Sequence, residues 1–338
     1  MQSLENEIDR VAGETAFSGV VHVDRAGDVE LARAYGMAHL ALQVPNAIDT
    51  QFAIASAVKG MTAIAVVSLI DDGLLELSTP ARAVLGADLP LIGDAVTIEH
   101  LLSHRSGIGD YLDEDAEHDI SDYVMPVPVH ELATTEQFLA VLDGFPSKFE
   151  PGQQFAYCNG GFVVLALIAE RISGMSYHDL VHRRVCKPAG MVDSAFLRSD
   201  ELPGRAALGY LEIDGVMRSN VFHLPVRGNG DGGMYSTVAD MPSFWSAFFA
   251  GRLVPDKWVA EMVRPRSVVS ELERYGLGFW LAGSGDAVRL EGCDAGVSFR
   301  SWHHPTSQLT YTVISNTSDG AWPVTRRLHE FLSENSAG

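Results

Sequence analysis

The stretch Ser56-Ala-Val-Lys59-Gly-Met-Thr-Ala-Ile-Ala-Val-Val-Ser-Leu-Ile-Asp71 sets Val58, Met61, Ile64, Val66, Val67, Leu69 and Ile70 around every side of a helix. A helix without a polar face has to be buried all round, and Gly73 supplies its stop. Lysine is scarce: the chain has only Lys59, Lys148, Lys187 and Lys257, and the first lies in this most apolar helix. A buried ammonium costs on the order of several kcal/mol unless it finds partners or gives up its proton. Ser56, three residues earlier, shares a helix face with Lys59. Such a pair suits a serine nucleophile with a lysine that handles its proton. It equally suits a serine N-cap beside a lysine snorkelling to the surface. The spacing alone leaves both readings open.

Working outward, Phe17–Val23 and Val29–Tyr35 alternate as strands around the turn Asp24-Arg-Ala-Gly-Asp28. Val288–Glu291, Val297–Trp302 and Leu309–Ser315 read as an antiparallel meander, with a closing helix from Pro323. Between these ends lie helical patterns: Phe162–Ile172 ending at Gly174, a capping box Ser176-x-x-Asp179, and a second box Thr237-x-x-Asp240. Strands at both ends with helices between predict an α+β fold, an antiparallel sheet built from both termini and flanked by helices. One unit of two lobes is expected, a sheet lobe over about 1–55 and 270–338 and a mainly helical lobe over about 56–269.

In Phe155-Ala-Tyr157-Cys158-Asn159, Tyr157 and Asn159 point the same way from extended backbone. A free phenol is a poor base at neutral pH, and a neighbouring ammonium such as Lys59 would lower its pKa. The alternative is an ordinary half-buried aromatic.

Three segments in order resemble the serine β-lactamase and penicillin-binding-protein superfamily. They are Phe52-Ala-Ile-Ala-Ser56-Ala-Val-Lys59, Ile98-Glu-His-Leu-Leu-Ser-His104-Arg-Ser106-Gly107, and Pro151-Gly152-Gln-Gln-Phe-Ala-Tyr157-Cys158-Asn159. The resemblance is to its class C β-lactamase-like branch, with D-Ala-D-Ala carboxypeptidases and related esterases. Ile172-Ser-Gly174, Lys187-Pro-Ala-Gly190-Met191 and Gly232-Gly-Met-Tyr235-Ser-Thr237 extend it over most of the chain. It implies a β-lactamase/transpeptidase-like fold with an inserted helical lobe. It also implies Ser56 as acylated nucleophile, Lys59 as proton partner, Tyr157 as general base, and Asn159 holding Lys59 and the substrate's amide or carbonyl. The family's third motif, Lys or His before a spaced glycine, is expected in Glu291-Gly-Cys293-Asp-Ala295-Gly296. There Cys293 replaces the cation and Ala295 the glycine, and the Gly296 amide is expected to complete an oxyanion hole with that of Ser56. Arg289 or Arg300 could stand in for the missing cation.

The expected activity is therefore a serine hydrolase acting through an acyl-enzyme, an esterase or amidase on a small-molecule ester or amide. The alternatives are a β-lactamase or D-Ala-D-Ala carboxypeptidase, an acyltransferase, and a catalytically silent scaffold. Of 338 residues 46% are hydrophobic, and 24 basic against 44 acidic residues give a net charge of −20, which disfavours nucleic acid and anionic membranes. Cys158, Cys186 and Cys293 form no zinc or redox spacing, and neither cofactor nor metal is expected. His100 and His104 have a zinc-like interval but lack a third ligand. His303-His304 is expected at an exposed turn, and the acidic run from Asp110 to Asp122 in a solvated loop, with a role at the substrate entrance, which the resemblance implies from its place after Ser106-Gly107, as the alternative. The first ten residues have neither a basic nor an apolar leader segment, so a cytoplasmic location is expected.

Overall fold

A computed structural model describes residues 3–114 and 123–336. Asp115, Glu117, Asp119 and Asp122 of the acidic run lie outside the described residues. The chain opens with helix α1 (Leu4–Glu14), capped by the Ser3 side chain, and strands β1 (Gly19–Arg25) and β2 (Asp28–Tyr35). A one-turn 3-10 helix at Ala55–Ala57 runs directly into α2 (Val58–Asp71). Helices α3 (Asn159–Ser173) and α4 (Asp240–Phe249) follow. The chain then returns through β3 (Ser267–Val268), β4 (Glu273–Tyr275), β5 (Trp280–Ala282), β6 (Val288–Asp294), β7 (Val297–His304), β8 (Leu309–Ser315) and helix α5 (Ala321–Ser336).

These strands make one eight-stranded antiparallel sheet in the order β2-β1-β8-β7-β6-β5-β4-β3. The expected union of the two termini occurs at β1 and β8, where Val20 faces Ile314 and Val21 faces Val313. Because successive strand residues alternate faces, Val21, Val23, Tyr311 and Val313 pack under α1 and α5 with Ile8, Val324 and Leu328. Val20 and Ile314 point the other way, into the larger core around α2. Every residue of α2 from Val58 to Ile70 is buried, as its sequence requires.

Local signals fare unevenly. Helix α3 starts three residues before its apolar run, because the Cys158 sulfur caps it by accepting from the Gly161 amide. It stops at Gly174, left-handed at φ +65°. Ser176 caps its helix through the Asp179 amide. The second capping box fails. The Asp240 carboxylate turns to Ser194 and the Asp193 amide, and Thr237 Oγ1 caps nothing. His303 is buried within β7, stacked against both Trp245 and Phe249, so the exposed turn expected there is wrong at that residue. His100 caps its own helix, its Nδ1 accepting from the Thr97 amide. Among the described residues no helix is long and apolar enough to cross a membrane.

Candidate active site

The turn that presents Ser56 is held in an uncommon shape. Ala55 sits at φ +46°, a region that non-glycine residues seldom occupy. It stands between β6 and α2, and its chain is tied down by the Ile54 amide donating to Met234 O at 2.9 Å. Ser56 is half-buried at the head of the helix. One turn on, Lys59 is only 2% exposed. Its Nζ donates to Ser56 Oγ (2.8 Å), Asn159 Oδ1 (2.8 Å) and the Asp231 carbonyl (2.7 Å). Three donors meeting three acceptors is the complement of an ammonium. Burial lowers the Lys59 pKa, and Asp231, Glu114, Asp294 and Asp110 push it back up.

Tyr157 comes to the same spot from the loop before α3. Its ring centroid lies 5.0 Å from Lys59 Nζ and 4.2 Å from that of His104, with Trp280 stacked at 6.0 Å. The expectation that Lys59 lowers its pKa is overturned. Burial drives the phenol well above its ordinary value, Glu114 and Tyr275 add to this, and a hydrogen bond with Ser56 only partly offsets it. Asn159, at the first turn of α3, holds Lys59 as expected. Its Nδ2, however, is committed to Leu112 O (3.0 Å) and Glu114 Oε1 (3.2 Å), so it is not free for a substrate carbonyl in this state.

Sequence reasoning missed the frame beneath these groups. Asp110, read only as part of an acidic loop, is buried and accepts the amides of Asn159 and Gly160 at the start of α3. A carboxylate there meets unpaired amides and the positive end of the helix dipole. Burial nevertheless raises its pKa to about 6. Tyr111 donates to the Asp231 carboxylate, whose pKa burial also raises. An acidic residue just before an apolar helix would have been a usable signal for the cap, but Asp110 lies 49 positions away.

The third motif has to be moved. Asp294 pairs with Val297 across β6 and β7, so Ala295-Gly296 is the two-residue turn of a hairpin, with Gly296 at φ +73°. The Gly296 amide donates to Ser318 Oγ at 2.9 Å, and its Cα packs against Gly209 and Tyr210. It cannot serve Ser56. The glycine that abuts the serine is Gly292, where a Cβ would fall 2.8 Å from Ser56 N and 2.3 Å from Ile54 O. The motif therefore reads Leu290-Glu291-Gly292, three residues upstream of its expected place. Leu290, Gly292 and Asp294 share the inner face of β6, and Leu290 is buried against Gly60 of α2. The Cys293 side chain lies on the outer face, exposed, so it does not occupy the cation's position. Pairs alternate along an antiparallel ladder. With Asp294↔Val297 closing the turn, the Cys293 amide points away from β7, toward the side where β5 has already ended.

Ser56 opens onto a cavity of about 80 Å³. Asn159, Asp231, Asp294 and Ala295 line it near the serine, and Met125, Phe138, Leu197, Leu224 and Val226 line it farther out. Among the described residues no lysine or arginine lines it. Arg289 pairs with Glu273 and Glu291, and Arg300 with Glu291, on the outer face of β6, so neither replaces the missing cation.

The Beta-lactamase family model matches residues 4–331. A penicillin-binding protein from Bacillus halodurans has the same fold, with a TM-score of 0.91 and 34% identity over 96% of this chain and 99% of that one. The esterase EstB of Burkholderia gladioli is 30% identical over 61% of this chain and 54% of its own. The D-alanyl-D-alanine-carboxypeptidase/endopeptidase AmpH of Escherichia coli is 29% identical over 70% of this chain and 59% of its own. The chain thus spans little more than half the length of these two relatives.

Proposed function

The chain belongs to the beta-lactamase family, and from that premise we propose a serine hydrolase that works through an acyl-enzyme, acting as an esterase or amidase on small acyl substrates. The observation that carries this reading is the Ser56–Lys59 contact of 2.8 Å, made by a buried lysine at the mouth of a cavity. An esterase and a carboxypeptidase among the relatives support the reaction class.

Ser56 Oγ attacks the acyl carbon. Burial lowers the pKa of Lys59 and raises that of Tyr157. The active form, one proton short, therefore pairs a neutral amine with a neutral phenol rather than an ammonium with a phenolate. Lys59 takes the serine proton, and the Tyr157 hydroxyl hands its own to the departing alkoxide or amine and is refilled from Lys59. Water reverses these transfers to release the acid. The amides of Ser56 and Cys293 hold the oxyanion; neither needs a side chain for this.

Substrates bearing a carboxylate, such as penicillins and D-Ala-D-Ala peptides, are the weaker candidates, because carboxylates rather than a cation border the cavity. Three free cysteines support a reducing compartment. A fluorophosphonate probe with intact-mass readout tests the mechanism: one adduct is expected, absent in Ser56→Ala. Labelling that persists in that variant overturns it.

A further inference from the structure

The hydrolase reading leaves unused a second and larger cavity of about 600 Å³, which shares none of its described lining with the one at Ser56. It lies where α4 crosses the inner face of the sheet. That face is apolar at Val20, Ile314 and Phe299, which are neighbours across β1, β8 and β7. Four residues along the same strands, roughly 13 Å away, the neighbours are Asp24, Thr310 and His303. Alternation puts them on the same face, so a polar rung stands where the core pattern calls for an apolar one.

The three residues are 7%, 2% and 7% exposed. Burying polar groups costs free energy unless each finds a partner, and here the pairing is incomplete. Asp24 Oδ1 accepts the Gly27 amide at 3.2 Å, and His303 Nδ1 pairs with Thr310 Oγ1 at 2.9 Å. Among the described residues nothing reaches Asp24 Oδ2 or His303 Nε2. Neither atom is sealed in packed core, so both open into the cavity that their residues line. Facing them, Pro242, Trp245, Ser246 and Phe249 form one stripe of α4 at helical spacing. Trp245 and Phe249 stack on His303 at 9° and 26°, and Phe249 is only half-buried. Burial lowers the His303 pKa to about 4, so the imidazole is neutral at pH 7. Asp24 and Arg252 carry the charges of the described lining, and they cancel.

We propose that this cavity is a binding site for a neutral sugar, separate from the acyl-transfer site. One hydroxyl donates to Asp24 Oδ2, a second pairs with His303 Nε2, and the C–H face of the ring lies on Phe249. A carboxylate makes short, strong bonds with O–H donors. An imidazole nitrogen donates or accepts according to its tautomer, and a hydroxyl answers either. A purely apolar ligand would leave both polar atoms unpaired, and a charged one would meet a lining whose charges already balance.

The test is isothermal titration calorimetry at pH 7 with D-glucose, D-galactose and D-mannose, each beside its amino sugar and its uronic acid. At least one neutral hexose is expected to bind with a Kd of about 1 mM or tighter, and more tightly than its two charged counterparts. Asp24→Asn keeps an oxygen for the Gly27 amide and should weaken that binding about tenfold or more, the range of a hydrogen bond to a charged group. Ala250→Phe fills the cavity from its exposed rim without altering the polar rung and should weaken binding at least as much. Circular dichroism checks the fold of each variant. Binding preserved in either folded variant overturns the proposal, as does tighter binding of an amino sugar or a uronic acid. No heat from any hexose up to about 10 mM means that the cavity holds water only, and overturns it too.

Discussion

Gly292→Ala and Gly296→Ala form a pair of one-methyl changes that separates the two possible placements of the oxyanion hole. At Gly292 the new Cβ would lie 2.3 Å from Ile54 O and 2.8 Å from Ser56 N, both backbone atoms that cannot swing aside. Relief requires β6 and the Ser56 turn to part by roughly 1 Å, a misplacement that costs about 10²-fold in rate when it falls on reacting groups. Overpacking of this kind also costs about 1–3 kcal/mol of stability. At Gly296 the methyl would meet Tyr210 N at 2.7 Å and the Gly209 carbonyl carbon at 2.9 Å, on backbone held at φ +73°. That variant should lose comparable stability, but its strain falls on the hairpin turn rather than on Ser56. Calorimetric Tm and kcat/KM for p-nitrophenyl acetate decide the matter. Both variants should melt a few degrees lower. Only Gly292→Ala should slow acylation by about two orders of magnitude, while Gly296→Ala stays within about threefold of wild type. A Gly292→Ala enzyme that acylates normally, or a Gly296→Ala enzyme that is the slower of the two, would refute the Leu290-Glu291-Gly292 assignment.

Lys59→Met should lower kcat/KM by about 10²–10⁴-fold. It should also lower Tm, because Ser56 Oγ, Asn159 Oδ1 and the Asp231 carbonyl lose their donor and four carboxyls lose their counter-charge. A higher Tm would mean that removing the buried charge outweighs these losses. Tyr157→Phe should slow acylation with little change in Tm, and the double variant should be barely worse than the poorer single, as for groups that share one proton path; additive losses in stopped-flow acylation would assign them separate tasks. Nitrocefin should be a poorer substrate than p-nitrophenyl acetate, and Cys293→Lys should not raise the nitrocefin-to-ester ratio, since that side chain leaves the outer face of β6. Asp110 and Asp294 have pKa values raised to about 6 and about 7 by burial, with Asp231 adding to both and Glu114 to Asp294 while Lys59 opposes at Asp294. A raised folded-state value favours the protonated form, so this contribution is full below about pH 4 and is lost as pH climbs through 6 and 7. Tm by scanning fluorimetry should fall between pH 5 and pH 8, and fall less in Asp294→Asn; an equal fall would place the titration elsewhere.

What the sequence made legible was whatever its own local pattern determines. An all-apolar helix can only be buried, and a lysine inside it needs acceptors, so Ser56, Lys59 and the α2 core follow from fifteen consecutive residues or so. The pairing of β1 with β8 follows from period-two runs at both ends. The misplaced third motif has a different origin. Gly292 and Gly296 both stand in glycine-containing stretches of one hairpin, and only the β6–β7 register tells which glycine is pressed against the Ser56 turn and which merely supplies a positive φ. Register is a property of two strands, and a short strand with small residues at its end specifies it weakly from sequence. Tyr157 fails in the same way at the level of charge. The ammonium beside it was legible, but the burial and the carboxyls Glu114 and Asp231 that outweigh it come from segments far along the chain. Their assembly raises the pKa of a phenol that a neighbouring ammonium alone would lower. The same acidic surroundings set the electrostatic sign of the cavity. A site that keeps the serine and lysine of its family, but has Leu290 where the motif is expected to carry a cation and Asp231 and Asp294 in its wall, presents acidic rather than basic groups to whatever enters it.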